Sequence, residues 1–168
     1  MMKGLLQRNQ QIGLVFAILV LCVDQLLKWV ISGPMGLTQE YDKLELLPFF
    51  DLYRIHNGGI SFGLFEATSE EWRWFLVAIT ALIALVVLVW MLREKVLGEI
   101  IGLSMVLGGA LGNIIDRARY GYVLDYADLH IGDFRPFLIF NVADAAITIG
   151  VLIILARSLF VSEKDKRV

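Results

Sequence analysis

The stretch IGLVFAILVLCVDQLLKWVIS, residues 12–32, decides the architecture. A helix crosses a bilayer with about 20 apolar residues, each rising about 1.5 Å, and this run has that length. Lys3 and Arg8 precede it as they would in a cleaved signal peptide, but Asp24 and Lys28 interrupt the apolar core. No A-x-A cleavage site follows, so the run reads as a retained first helix. Three further stretches have the same character, at about residues 72–92, 96–115 and 136–160. The expected architecture is an all-α membrane core of four spans. It forms one integral membrane unit over residues 1–168, with a small antiparallel β segment at about residues 41–66.

Composition supports a membrane protein. Of the 168 residues, 58% are hydrophobic and 19% charged, and the mean hydropathy of +0.70 lies outside the range of ordinary soluble domains. The net charge is −2 and the basic residues are dispersed, so no nucleic-acid footprint is present. The single cysteine, Cys22, excludes an internal disulfide. His56 and His130 stand far apart with no second histidine at ligand spacing, so no metal site is expected.

If the four spans alternate, Lys3, Arg8, Arg93, Lys95, Arg157, Lys164, Lys166 and Arg167 share one side. By the positive-inside rule that side, with both termini, is the cytoplasm. The opposite side receives residues 33–71 and 116–135. In the first of these, LELLPFFDLYRIHNGGISFGLF reads as short β-rich runs broken by Pro48 and by the Asn57-Gly58-Gly59 turn. The link at Arg93–Lys95 is short enough to make helices two and three antiparallel neighbours.

Ionisable groups inside a span cost about 2.5–3.5 kcal/mol each on insertion scales, so each calls for a partner or a function. Asp24 and Lys28, at i,i+4, form an expected ion pair in the outer half of helix one, and a purely structural role accounts for it. GGALGNIIDR places Asn113 and Arg117 on one face of helix three. FNVADAAIT places Asn141, Asp144 and Thr148 on one face of helix four. Gly108 and Gly112 have the small-xxx-small spacing that lets helices approach closely. Packing explains these glycines, but not the polar residues beside them, which fit a hydrated cleft opening outward.

Two carboxylates sharing a water suffice for peptide hydrolysis: one takes a proton from water while its protonated partner hydrogen-bonds the carbonyl oxygen. Such a pair titrates as a unit and needs no cofactor. Asp144 is one candidate. Asp116, Asp125 and Asp128 compete for the other place, and the sequence physics leaves that choice open.

Five separated motifs together carry a family resemblance: DQLLK at 24–28, NGGISFGLF at 57–65, GGALGNIIDR at 108–117, YVLDY at 122–126 and FNVADAAITIG at 140–150. Over nearly its full length the chain resembles the lipoprotein signal peptidases, or signal peptidase II. The resemblance implies an aspartyl endopeptidase of the bacterial inner membrane whose active site faces the periplasm, with Asp125 and Asp144 as the dyad. It further implies that Asn57, Gly59, Asn113, Arg117 and Asn141 support the site or the substrate, and that Asp24 and Lys28 stabilise the architecture. The implied fold adds a periplasmic β-cradle and a short periplasmic helix to the four spans. The implied substrate is a diacylglyceryl-modified prolipoprotein, cut just before its lipidated cysteine. Membrane lipids are the surroundings, a monomer is expected, and no cofactor or metal is implied.

Two rival readings remain. Lys28 could serve as base for Ser32, one turn further on, in a Ser/Lys peptidase. Asp24, Lys28 and Asp144 could instead line the ion path of a small transporter or proton-relay subunit.

Overall fold

The computed structural model describes residues 7–59 and 70–160. Its elements, in chain order, are α1 (Arg8–Ser32), β1 (Lys43–Leu47), β2 (Phe50–Asn57), α2 (Glu70–Arg93), α3 (Leu97–Tyr120), β3 (Val123–Leu129) and α4 (Val142–Phe160). All four helices are long and apolar enough to cross a membrane. The strands form one antiparallel sheet in the order β1-β2-β3. The expected hairpin around Pro48 is present, and its third strand comes from the segment after α3. The part of the expected β segment beyond Gly59 lies outside the described residues. Among the described residues no short helix accompanies the sheet.

The helices pack inside-out relative to a soluble bundle. In its most apolar stretch α3 is 56% buried, against 17–22% for the other three, and α3 carries most of the glycines found in the four helices. Lipid offers no hydrophobic drive for association, so close backbone approach and dispersion hold such helices together. A Cβ added at Gly108 would meet the carbonyl oxygen of Ala17 on α1 at 2.5 Å. At Gly109 it would meet the Ala143 carbonyl oxygen on α4, and at Gly112 the Asp24 carboxylate on α1 at 2.5 Å. One stripe of α3 thus brings α1 and α4 to backbone distance. At the opposite end, Gln10 of α1 donates to the Leu92 and Glu94 carbonyls and fastens the α2–α3 turn.

Two helix boundaries differ from the hydropathy reading. The third helix runs on to Tyr120 instead of stopping near residue 115, carrying Asp116, Arg117 and Arg119 in its last turns. Gly121, at φ 88°, closes it with an N–H bond to the Arg117 carbonyl. The fourth helix begins at Val142, not near residue 136. The apolar residues before it are not helical: Phe140 pairs with Ala127, and Phe137 and Leu138 are exposed. Hydropathy registers apolar content, whereas the start is set by a cap at Asn141.

Gly109→Val should lower the unfolding temperature in detergent, at a cost of about 1–3 kcal/mol, the usual penalty of overpacking. Gly98→Ala, where an added Cβ meets only the flexible Arg157 side chain, should be tolerated. Equal stability of both variants would contradict the close α3–α4 contact.

Candidate active site

Asn141 caps α4. Its side-chain oxygen accepts the Asp144 N–H at 2.9 Å, and Asp144 Oδ2 accepts the Asn141 N–H at 3.3 Å. This is the reciprocal capping box, with the carboxylate at the third helical position and at the positive end of the helix dipole. Asn113 Nδ2 of α3 donates to Asp144 Oδ1 at 2.8 Å, so both oxygens of this half-buried carboxylate receive N–H bonds.

Asp125, 3% exposed in β3, approaches the same cap. Asn141 Nδ2 donates to Asp125 Oδ1 at 2.6 Å and Asn57 Nδ2 to Oδ2 at 2.9 Å. The side chain and backbone of Asn141 therefore bind both carboxylates. Burial, then the charge of Asp144, pushes the Asp125 carboxyl up to about 7.

The two competing aspartates are committed elsewhere. Asp116 holds Lys28 Nζ at 2.7 Å and Gln25 Nε2 at 2.9 Å. Asp128 is fully buried, and it accepts Arg135 Nε on both oxygens at 3.0 and 3.1 Å. Among the described residues no cation forms an ion pair with Asp125. Of the three, it alone meets Asp144 with amide partners only.

The supporting residues collect around this pair. Arg117 Nη2 donates to the Gly59 carbonyl at 2.6 Å, and the Gly59 N–H returns to Asn57 Oδ1 at 3.1 Å. Arg117 is not ion-paired with Asp116 or Asp144, and its buried Nε has no partner among the described residues. The expected pair of Asp24 and Lys28 is formed at 2.8 Å, with both groups buried, and Asp116 makes it a triad. The two acids also reach further. Asp24 Oδ1 accepts the Ala143 N–H at 3.0 Å, and Asp116 Oδ2 accepts the Leu124 N–H at 3.2 Å. Those amides belong to the residues immediately before Asp144 and Asp125. A single ammonium thus holds the backbone on which both members of the pair sit.

Ser32 takes no part with Lys28; its Oγ accepts Arg54 Nη1 at 2.8 Å. Sequence reasoning also misses a second polar cluster. Ligand atoms of Asp51, Asp128 and His130 lie within 4.8 Å of one another. Lys43 already sits on Asp51 at 2.9 Å and Arg135 on Asp128. The Lys43 hydrogen bond, reinforced by His130, holds the Asp51 carboxyl below its usual range. Only the pairing of Asp51 with Asp128 across β2 and β3 brings these acids together, and no local motif announces it.

Two carboxylates joined through one asparagine at the end of a bundle of membrane-crossing helices can carry out acid–base hydrolysis at a membrane surface. Residues 16–160 match the family model for signal peptidase (SPase) II. The chain is 52% identical to the lipoprotein signal peptidase of Sphingopyxis alaskensis over 152 residues, covering 90% of this chain and 87% of that one. It is also 52% identical to the lipoprotein signal peptidase of Rhizorhabdus wittichii over 155 residues, covering 92% and 90%. A solved bacterial membrane enzyme, determined by the in meso method at 2.3 Å resolution, superposes with a TM-score of 0.78 at 29% identity, over 94% of this chain and 93% of the other. The protein is therefore a multi-pass membrane peptidase. It belongs to the signal peptidase II family.

Removing Lys28 leaves two buried acids uncompensated, a loss that typically costs about 3–5 kcal/mol. Lys28→Met should therefore unfold at markedly lower temperature. Combining it with Asp24→Asn and Asp116→Asn should recover much of the loss. A triple variant less stable than the single one would show that the triad is not the compensated unit described.

Proposed function

We propose that this protein removes signal peptides from diacylglyceryl-modified prolipoproteins, cutting just before the lipidated cysteine, with Asp125 and Asp144 acting on one water. The observation that carries the reading is the shared Asn141: its side chain bonds the Asp125 carboxylate and its backbone N–H the Asp144 carboxylate, while burial and the charge of Asp144 raise Asp125 to about 7.

In this mechanism the Asp125 carboxyl is protonated and hydrogen-bonds the scissile carbonyl oxygen. Asp144, at the helix N-terminus, takes a proton from the water as it attacks the carbonyl carbon. The tetrahedral intermediate collapses when Asp144 returns that proton to the departing amine. Asn57, Asn113 and Asn141 fix the two carboxylates, and the Arg117 Nε, which has no partner among the described residues, is available to a substrate carbonyl beside the Gly59 backbone. A lipid anchor on the substrate cysteine would hold the scissile bond at the helix ends, which supplies much of the orientation the reaction needs.

The topology follows from charge. Arg8, Arg93, Lys95 and Arg157 lie at the bundle end away from the sheet, which becomes the cytoplasmic end and directs the sheet and the aspartate pair to the periplasm. A transporter reading is less favoured, because the buried charges gather at the sheet end. Among the described residues the other end offers only the Glu99–Arg157 pair at 3.3 Å.

Purified protein should cleave a diacylglyceryl-modified prolipoprotein in detergent. Asp125→Asn and Asp144→Asn should each lose about 10²-fold or more, and Ser32→Ala should retain activity. Near-parental turnover by either Asn variant would show that the pair is misassigned. The rate should fall on the alkaline side near pH 7, as the pair loses its shared proton, and on the acid side, as it gains a second. Stability has its own sign. With the folded carboxyl raised above its ordinary value of 3.8, the contribution of Asp125 is complete below pH ~4 and lost as pH rises through about 7. Asp125→Asn should therefore flatten the loss of stability between pH 5 and 8.

A further inference from the structure

A cavity of about 370 Å³ opens at the sheet end of the bundle, lined by Arg54, Arg119, Trp29, Tyr120, Tyr122 and Leu124 together with residues of the Lys28 triad. It does not include the aspartate pair. Leu124 faces this cavity while its neighbour Asp125 faces the cleft, because successive strand residues point to opposite faces of the sheet.

Arg54 is 8% exposed, yet among the described residues it forms no ion pair with any carboxylate. Its guanidinium donates to neutral acceptors only: Nε to His56 Nε2 at 3.1 Å, Nη1 to Ser32 Oγ at 2.8 Å and to the Leu37 carbonyl at 2.7 Å, and Nη2 to Tyr122 Oη at 3.3 Å. Four of its five donor hydrogens are used, and the fifth, on Nη2, has no partner among the described residues. A buried cation without a counter-ion is costly unless a ligand supplies the charge. Glu40 stands beyond the imidazole, 3.7 Å from His56 Nδ1. Asp116 lines the cavity, but its carboxylate is engaged by Lys28 at 2.7 Å, by Gln25 and by the Leu124 N–H, and it does not pair with Arg54.

Arg119 is exposed and among the described residues forms no ion pair; its guanidinium lies 5.2 Å from the centroid of the Tyr120 ring. Beyond the Leu37 carbonyl, which Arg54 uses, several of the last helix carbonyls near these cations are already hydrogen-bonded. The last carbonyls of α1, at Trp29, Val30 and Ile31, accept the N–H groups of Gly33, Met35 and Leu37. Those of α3, at Arg117 and Ala118, are taken by Arg73.

An apolar track leads to the cavity mouth. Val15, Leu19, Cys22, Leu26 and Trp29 are all exposed on α1 and recur at spacings of three and four, so they form one lipid-facing stripe. The stripe ends at Trp29, which is 64% exposed, opposite Tyr120 on α3. Aromatic residues with arginine at a helix end are the usual furniture of the headgroup layer.

We infer that this cavity binds the phosphate of an anionic phospholipid, with Arg54 at its base, Arg119 at its rim and an acyl chain along the exposed α1 stripe. Arginine suits the role because its planar fork of donors matches phosphate oxygens. Bound lipid would brace α1 against β2 and β3 on the side of the sheet opposite the cleft.

The test measures unfolding temperature in a neutral detergent, with phosphatidylglycerol, phosphatidylcholine or inorganic phosphate added, and is independent of cleavage. Phosphatidylglycerol should raise the parent by about 5 °C at saturation, as expected for a ligand that binds only the folded state. Phosphatidylcholine should do much less. Arg54→Gln should abolish the shift, and Arg119→Gln, at an exposed position that folding does not depend on, should reduce it. Native mass spectrometry should show the retained lipid lost in parallel. A full shift in both variants, or equal shifts with the two lipids, would overturn the inference. If inorganic phosphate alone reproduces the shift with the same dependence on Arg54, the lipid source is wrong and a free-anion site replaces it.

Discussion

Everything at the sheet end rests on one buried ammonium. Lys28 Nζ lies 2.8 Å from Asp24 and 2.7 Å from Asp116, where charges removed from water survive only if fully partnered. The net charge of the triad is negative, and the excess is spread over N–H groups: Gln25, Ala143 and Leu124 donate to the two acids. Because Ala143 and Leu124 directly precede Asp144 and Asp125, the triad sets the backbone of α4 and β3 at the two points where the pair is mounted. The polar residues costliest to insert into a membrane are thus the ones that register helices against sheet.

Glycine makes this geometry possible. Gly112 leaves room for the Asp24 carboxylate beside α3, and Gly109 lets α4 approach until the Ala143 backbone reaches Asp24. Packing and electrostatics are therefore one device. The smooth stripe on α3 brings the helices together, and the ion triad fixes how far along one another they sit.

Much of this was legible in the sequence. The four spans, the hairpin around Pro48, the Asp24–Lys28 pair and the shared face of Asn141 and Asp144 all follow from local spacing. The signals that were not legible are long-range. Asp24 reaches an amide 119 residues away, and Asp51 meets Asp128 through strand register. Residue chemistry could not separate Asp116, Asp125 and Asp128, since each is an aspartate in mixed surroundings. The structure separates them by partner: Lys28 for the first, Arg135 for the last, and amides alone for Asp125. The start of α4 was misplaced because residues 137–140 are as apolar as a span, although Phe140 is used in pairing with β3.

The central claim is that Asp125 and Asp144 share one proton near neutral pH. Difference infrared spectroscopy of the purified protein across pH 5–9 reads the carbonyl stretch of protonated carboxyl groups directly. The account predicts a carboxylic-acid band that disappears with a midpoint near pH 7 and is missing from Asp125→Asn. A band that survives in Asp125→Asn, or no protonated carboxyl titrating in that range, would contradict it.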